Sequence, residues 1–220
     1  APNNATLHAR YATVQMSMKD MPGAEASLRK ALAIDPGMGG AQLSLLNVLV
    51  GQKKFPSALA LAKSVQQRQP ASPNGYKLEG DVLSAQDLHA GAARAYERAF
   101  ALQPSGALMA QLHGALAKAG KAADANARMS DWLSKHPRDI AARIYYASGL
   151  LVAKDYEGAA EHLHAVLRFE PSNVLALNDL AWASQQLKRA DALSYAERAY
   201  KLAPASPAVL DTLGWILYEN

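Results

Sequence analysis

Alanine recurs along the chain at Ala24, Ala58, Ala92, Ala125, Ala159 and Ala192. Four residues after each stands a mostly larger side chain: Leu28, Ala62, Tyr96, Met129, Leu163 and Ala196. Three residues further on come Ala31, Val65, Ala99, Trp132, Val166 and Ala199. Steps of four and three put all three positions on one face of a helix. Small side chains there let two helices approach closely, and the larger ones fill the gaps between them. Each stripe ends five residues before a proline. Pro2, Pro36, Pro70, Pro104, Pro137, Pro171 and Pro204 are spaced 34, 34, 34, 33, 34 and 33 residues apart. Asp35-Pro36, Gln69-Pro70, His136-Pro137 and Glu170-Pro171 each stop a helix, because proline disfavours helical geometry in the residue before it. Pro22 and Pro56 fall in the first turn of these second helices, where a missing N–H costs nothing.

A first helix precedes each stripe. Leu210-x-x-Leu213-Gly214-x-x-Leu217 is its clearest form, and Tyr76-x-x-Glu79-Gly80-x-x-Leu83 is a weaker copy. The small residue recurs as Ala12, Gly80, Ala147, Ala181 and Gly214, while Leu46 and His113 interrupt it. The period and this motif resemble the tetratricopeptide repeat family. Six helical hairpins are predicted, at about 5–38, 39–72, 73–105, 106–139, 140–173 and 174–206, with one further first helix at 207–220. Residues 1–4 read as the tail of an earlier repeat. One repeat cannot bury its apolar face alone, so neighbours must stack. The expectation is thirteen helices, no strand and a single array over residues 1–220. The resemblance implies an all-α fold, an α-α superhelix: a right-handed solenoid of antiparallel helix pairs. Both chain ends fall inside the pattern, and the chain begins at Ala1 without Met or signal peptide, so a fragment of a longer array is expected. Apolar surface at the ends, including Trp215, Ile216 and Leu217, is then expected to support self-association.

Composition agrees with helices. Half the residues are hydrophobic and only 7% are aromatic, so Ala and Leu carry most of the apolar content. There is no cysteine, which excludes disulfide and thiolate chemistry. The net charge of +4 is mild and forms no long run, unlike the concentrated stripe of a nucleic-acid binder. No apolar run reaches the ~18 residues needed to span a membrane. Catalytic motifs are missing: there is no glycine-rich phosphate loop, no G-x-S-x-G and no paired-carboxylate motif. His162-x-His164 is the closest histidine pair, but residues two apart on a helix point about 200° away from each other. No metal, cofactor or enzymatic activity is therefore expected.

A narrower resemblance rests on three stretches: Leu177-Asn178-Asp179-Leu180-Ala181-Trp182, the run Ala192 to Pro204, and Pro207 to Trp215. They resemble the C-terminal repeats of the TPR lipoproteins linked to PEP-CTERM/exosortase protein sorting and exopolysaccharide loci of Gram-negative bacteria. That likeness implies a periplasmic or outer-membrane-associated scaffold, although the family's lipid-bearing N-terminal cysteine is absent here.

Helical-repeat arrays bind along their concave face. In the tetratricopeptide family the first helices line it. Carried over by position, the exposed inner set includes Arg10, Thr13, Asn47, Lys77, Asp81 and Gln111, then Tyr145, Ser148, Asn178, Trp182, Gln185, Asp211, Trp215 and Tyr218. The early members are polar and mixed in charge. The later ones gather Tyr145, Trp182, Trp215 and Tyr218 beside amide and carboxylate groups. Such a set suits an extended peptide or helix anchored by rings, or a polysaccharide stacked on them. Trp182 and Trp215 can instead pack between helices, and Trp132, on the second-helix stripe, is expected in the core. The chaperone-binding members of the family use a Lys/Asn/Arg clamp. The corresponding pairs here, Ala9/Thr13, Leu43/Asn47, Lys77/Asp81 and Ile144/Ser148, do not supply it.

Overall fold

A computed structural model describes residues 4–219. Pro2 and most of the expected N-terminal tail, Ala1 to Asn3, lie outside the described residues, as does Asn220. Every regular element among the described residues is a helix, and there are thirteen: α1 (Ala5–Ser17), α2 (Met21–Ile34), α3 (Gly39–Gly51), α4 (Phe55–Arg68), α5 (Asn74–Ala85), α6 (His89–Leu102), α7 (Gly106–Lys118), α8 (Ala122–Lys135), α9 (Ile140–Val152), α10 (Tyr156–Phe169), α11 (Val174–Gln186), α12 (Ala192–Leu202) and α13 (Pro207–Glu219). By position they alternate as first and second helices of the sequence period, with α13 as one further first helix.

Local chemistry sets the boundaries. Asn4, Asp20, Ser105, Asp139, Asp155 and Asn173 each accept a hydrogen bond from the backbone N–H three residues on, satisfying a donor that the first turn leaves orphaned. Asp35, Gln69, Gln103, Glu170 and Ala203 end their helices one residue before proline. The turns from first to second helix share a feature that the residue pattern conceals. Lys19, Lys53, Asp87, Lys154 and Lys188 adopt positive φ, between 55° and 62°, and Gly120 takes φ 80° in the fourth repeat. Only glycine enters this left-handed region without a steric cost.

The chain folds as two compact units, Ala1–Ala125 and Asn126–Asn220. In the first, α1 to α6 each pack on the helix that follows, as far as α7, and the first helices α3 and α5 also touch. In the second, α9 to α13 pack in sequence, with additional contacts of α9 on α11 and α11 on α13. The second helices bury the predicted stripe. Ala24, Ala58, Ala92, Ala125 and Ala159 are fully buried and Ala192 is 2% exposed. Leu28, Ala62, Tyr96, Met129, Leu163, Ala196 and the third row from Ala31 to Ala199 are buried as well.

At Gly80 the close approach is visible: a Cβ there would lie 2.5 Å from Cε1 of Tyr96. Gly214 departs from the expected crossing. It is exposed, and nothing lies within 4 Å of a Cβ built on it. Leu46 is buried despite interrupting the small-residue register, while His113 is partly exposed. Ile216 corrects the expectation for the C-terminal end: it is fully buried against Ala181, Ala192 and Ala196, whereas Trp215 and Leu217 are exposed.

Candidate functional site

The candidate residues divide between the units. In the first, Arg10, Thr13 and Asn47 are exposed, and the Thr13 hydroxyl donates back to the Ala9 carbonyl at 3.2 Å. Lys77, Asp81 and Gln111 are half-buried and come together. Lys77 Nζ donates to Asp81 Oδ2 at 2.8 Å, one helical turn away. Gln111 Nε2, from the next repeat, donates to Asp81 Oδ1 at 3.1 Å. The Tyr96 hydroxyl, from the second helix, donates to the same oxygen at 2.8 Å and lies 3.4 Å from Ser84 Oγ. Burial is the main cause that raises the Tyr96 phenol far above its ordinary range, and the adjacent Asp81 charge adds to it. Tyr96 and Ser84 were not legible as members of this cluster. It is assembled across separations of 15 and 30 residues that no local pattern reports.

In the second unit, Asn178, Trp182 and Gln185 recur at steps of four and three on α11. Asp211, Trp215 and Tyr218 repeat them one period later on α13, so each trio occupies one helix face. Asn178, Trp182, Gln185 and Ser148 are half-buried, while Asp211 is exposed. Tyr145, Trp215 and Tyr218 are 38%, 47% and 81% exposed. The Trp215 and Tyr218 rings lie 6.1 Å apart at a tilt of 41°. Asn178 keeps its side-chain oxygen buried without a hydrogen-bond partner among the described residues. Burial raises the Tyr145 phenol. It also raises the carboxyl of Asp179, whose hydrogen bond with Asn178 pulls the other way. Asp179 holds the same repeat position as Tyr145, one residue on from Asn178. It belongs beside the candidate set, and its signal lay in that register.

Trp132 is buried as expected. Its indole N–H donates to Asp139 Oδ2 at 2.8 Å, and its ring stacks on His136 at 3.8 Å. Arg143 is a buried cation that no side-chain pattern announces. Its guanidinium donates to the carbonyls of Leu133 and Pro137 at 3.2 and 3.3 Å and lies 3.2 Å from Nδ1 of His162. It thereby supplies donors to the end of α8, as Gln42 at the same repeat position does for the Pro36 carbonyl at 2.7 Å. Burial first, then the nearby Arg143 charge, lowers the His162 imidazole. His162 and His164 part as their spacing requires: His162 meets Tyr146 and His164 meets Tyr195. Among the described residues no three His, Asp or Glu side chains converge as a metal site, and no helix is long and apolar enough to cross a membrane.

Known proteins share this construction. A TPR repeat-containing protein of Pseudomonas aeruginosa is 31% identical over 96 residues, 42% of this chain and 16% of the relative. The chain thus matches about a sixth of that protein's length. Among solved structures, yeast Tom70 superposes with a TM-score of 0.74 at 15% identity, covering 98% of this chain and 46% of Tom70. PilW, a widely conserved type IV pilus biogenesis factor, gives a TM-score of 0.64 at 20% identity, covering 95% of this chain and 98% of PilW. At these identities the likeness shows the fold class, an all-α α-α superhelix. The family model for a tetratricopeptide repeat-like domain matches residues 4–113, half of the 220-residue chain. On its repeat, its helix pairs and this match, the chain belongs to the tetratricopeptide repeat family.

Proposed function

We propose that the chain is a non-catalytic scaffold that binds a protein or peptide partner through the first-helix faces of its second unit. The partner would belong to a bacterial cell-envelope assembly serving exopolysaccharide export or PEP-CTERM protein sorting. Tetratricopeptide repeat proteins generally mediate protein–protein interaction, and the envelope reading rests on the resemblance around Leu177 to Trp182 and Pro207 to Trp215.

One contrast carries the binding site. The second helices seal their apolar stripe completely, while Trp182, Trp215 and Tyr218 stay outside that stripe on the first helices. Rings held out of the core at successive repeats offer anchors to such a partner.

Affinity capture from lysate of the source organism tests this. The chain is compared with the Asn178→Ala/Trp182→Ala double variant, and retained proteins are identified by mass spectrometry. A protein retained by the chain and lost from a folded variant supports the reading. Identical retention by both removes the second-unit face from consideration.

Direct polysaccharide binding is the alternative, favoured by the exposed Trp215–Tyr218 pair. Tryptophan fluorescence titrated with acidic and neutral polysaccharide decides it, since a flat titration excludes stacking on these rings.

A further inference from the structure

The first and third repeats differ at the start of their second helices. In the first, Asp20 caps α2: its carboxylate accepts the Gly23 N–H at 2.9 Å and a hydrogen bond from Gln15 Nε2 at 3.3 Å. Gln15 in turn accepts from the Ser27 hydroxyl at 2.7 Å. The fifth repeat keeps the cap, with Asp155 accepting from Gly158 at 3.0 Å. Two periods after the first repeat, the glycine persists as Gly91, but Asp20, Gln15 and Ser27 are replaced by Leu88, Leu83 and Ala95. No side chain caps α6.

A cavity of about 710 Å³ opens at this place, within the ~300–1,000 Å³ range of small-ligand pockets. Arg94, Arg98 and Lys118 line it, and none of the three has an ion-pair partner among the described residues. His89 lines it too, and its Nδ1 is buried without a hydrogen-bond partner. Two carboxylates are nearby. Glu79 already accepts from Gln66 Nε2 at 2.8 Å, and the Asp87 carboxylate, 92% exposed at the rim, lies 3.7 Å from His89 Nε2. Three cations therefore face one engaged and one solvated carboxylate. Leu83, Leu88 and Ala95 supply an apolar wall. The cavity is separate from the Lys77–Asp81 face: Glu79 and Leu83 lie two residues from that pair, about 200° around α5.

We infer that this cavity binds a small organic anion, a carboxylate or phosphate monoester with a short apolar part. The anionic group would sit among Arg94, Arg98 and the α6 amides, where the first repeat holds its own Asp20 carboxylate, and the apolar part would lie on Leu83 and Leu88. Charge-assisted donors and a helix N-terminus both favour such a group.

The whole chain is titrated with benzoate, phenyl phosphate and, as a neutral control, benzyl alcohol, by calorimetry and by amide NMR. At least one anion should bind saturably and shift the amide signals of His89, Ala90 and Gly91, and the alcohol should not. Arg94→Ala/Arg98→Ala should weaken binding by roughly tenfold or more. Leu88→Asp restores the cap of the first repeat, so it should raise the thermal midpoint and weaken binding by at least as much. The Leu88→Asp arm keeps the test intact if the arginine variant does not fold. Absence of saturable shifts with both anions, equal binding of the alcohol, or unchanged affinity in folded variants overturns the inference.

Discussion

In α5, Lys77 and Asp81 are engaged within the fold: the carboxylate accepts from Lys77, Tyr96 and Gln111. The same two repeat positions hold Asn178 and Trp182 in α11, then Asp211 and Trp215 in α13. There, amide oxygen and ring surface remain uncommitted, with Trp215 47% exposed. Equivalent places in one repeat pattern thus differ in how far the fold itself engages them. A polar cluster satisfied internally ties two repeats together and leaves little for a ligand, since its donors would have to be won back. Exposed rings on a rigid helix lose little entropy when a partner covers them, so the free energy of their burial appears as affinity.

The sharpest way to break this contrast is through the rings. Trp182→Ala/Trp215→Ala should cost about 2–4 kcal/mol of partner affinity, as for anchor residues of an interface. This is measured by titration with the captured partner. Asp81→Ala should do the opposite. It leaves the Tyr96 hydroxyl, Gln111 amide and Lys77 ammonium without their common acceptor, for a loss of about 1–3 kcal/mol in denaturant unfolding, with affinity unchanged. Ala159→Leu should cost about 1–3 kcal/mol by overpacking the sealed second-helix stripe, and a neutral result would mean the stripe is not a close crossing. Lys154→Gly should stabilise by up to about 1 kcal/mol, because glycine adopts the left-handed turn without the penalty lysine bears.

The smallest effect concerns pH. The folded state holds the His162 imidazole below its ordinary value, so just below pH ~6.5 the unfolded chain binds more protons. Stability should therefore fall as pH drops from about 7 towards 5, and His162→Gln should flatten that slope.

The repeat made the fold readable. A period carried by Ala24 to Ala192 and Pro36 to Pro204 reports helix pairs directly, because close packing needs a small side chain at the same place in each unit. The left-handed turns were hidden, since four of their six positions hold lysine, a residue with no preference for that geometry. The site was only partly readable. Position in the repeat singled out Lys77, Asp81, Trp182 and Trp215 as candidates, but which are tied up within the fold depends on partners such as Tyr96 and Gln111, contributed by other helices. Arg143 was missed for the same reason: its acceptors are backbone carbonyls, which carry no signature in the side-chain pattern.

The most direct test pairs stability with partner capture in two variants, Asp81→Ala and Trp215→Ala. On this contrast, Asp81→Ala should lower the thermal midpoint by roughly 2–12 °C, for the loss given above, while keeping its partner. Trp215→Ala should keep its midpoint and lose the partner. The reverse pattern, with Trp215→Ala unfolding the chain and Asp81→Ala releasing the partner from a stable fold, would contradict it.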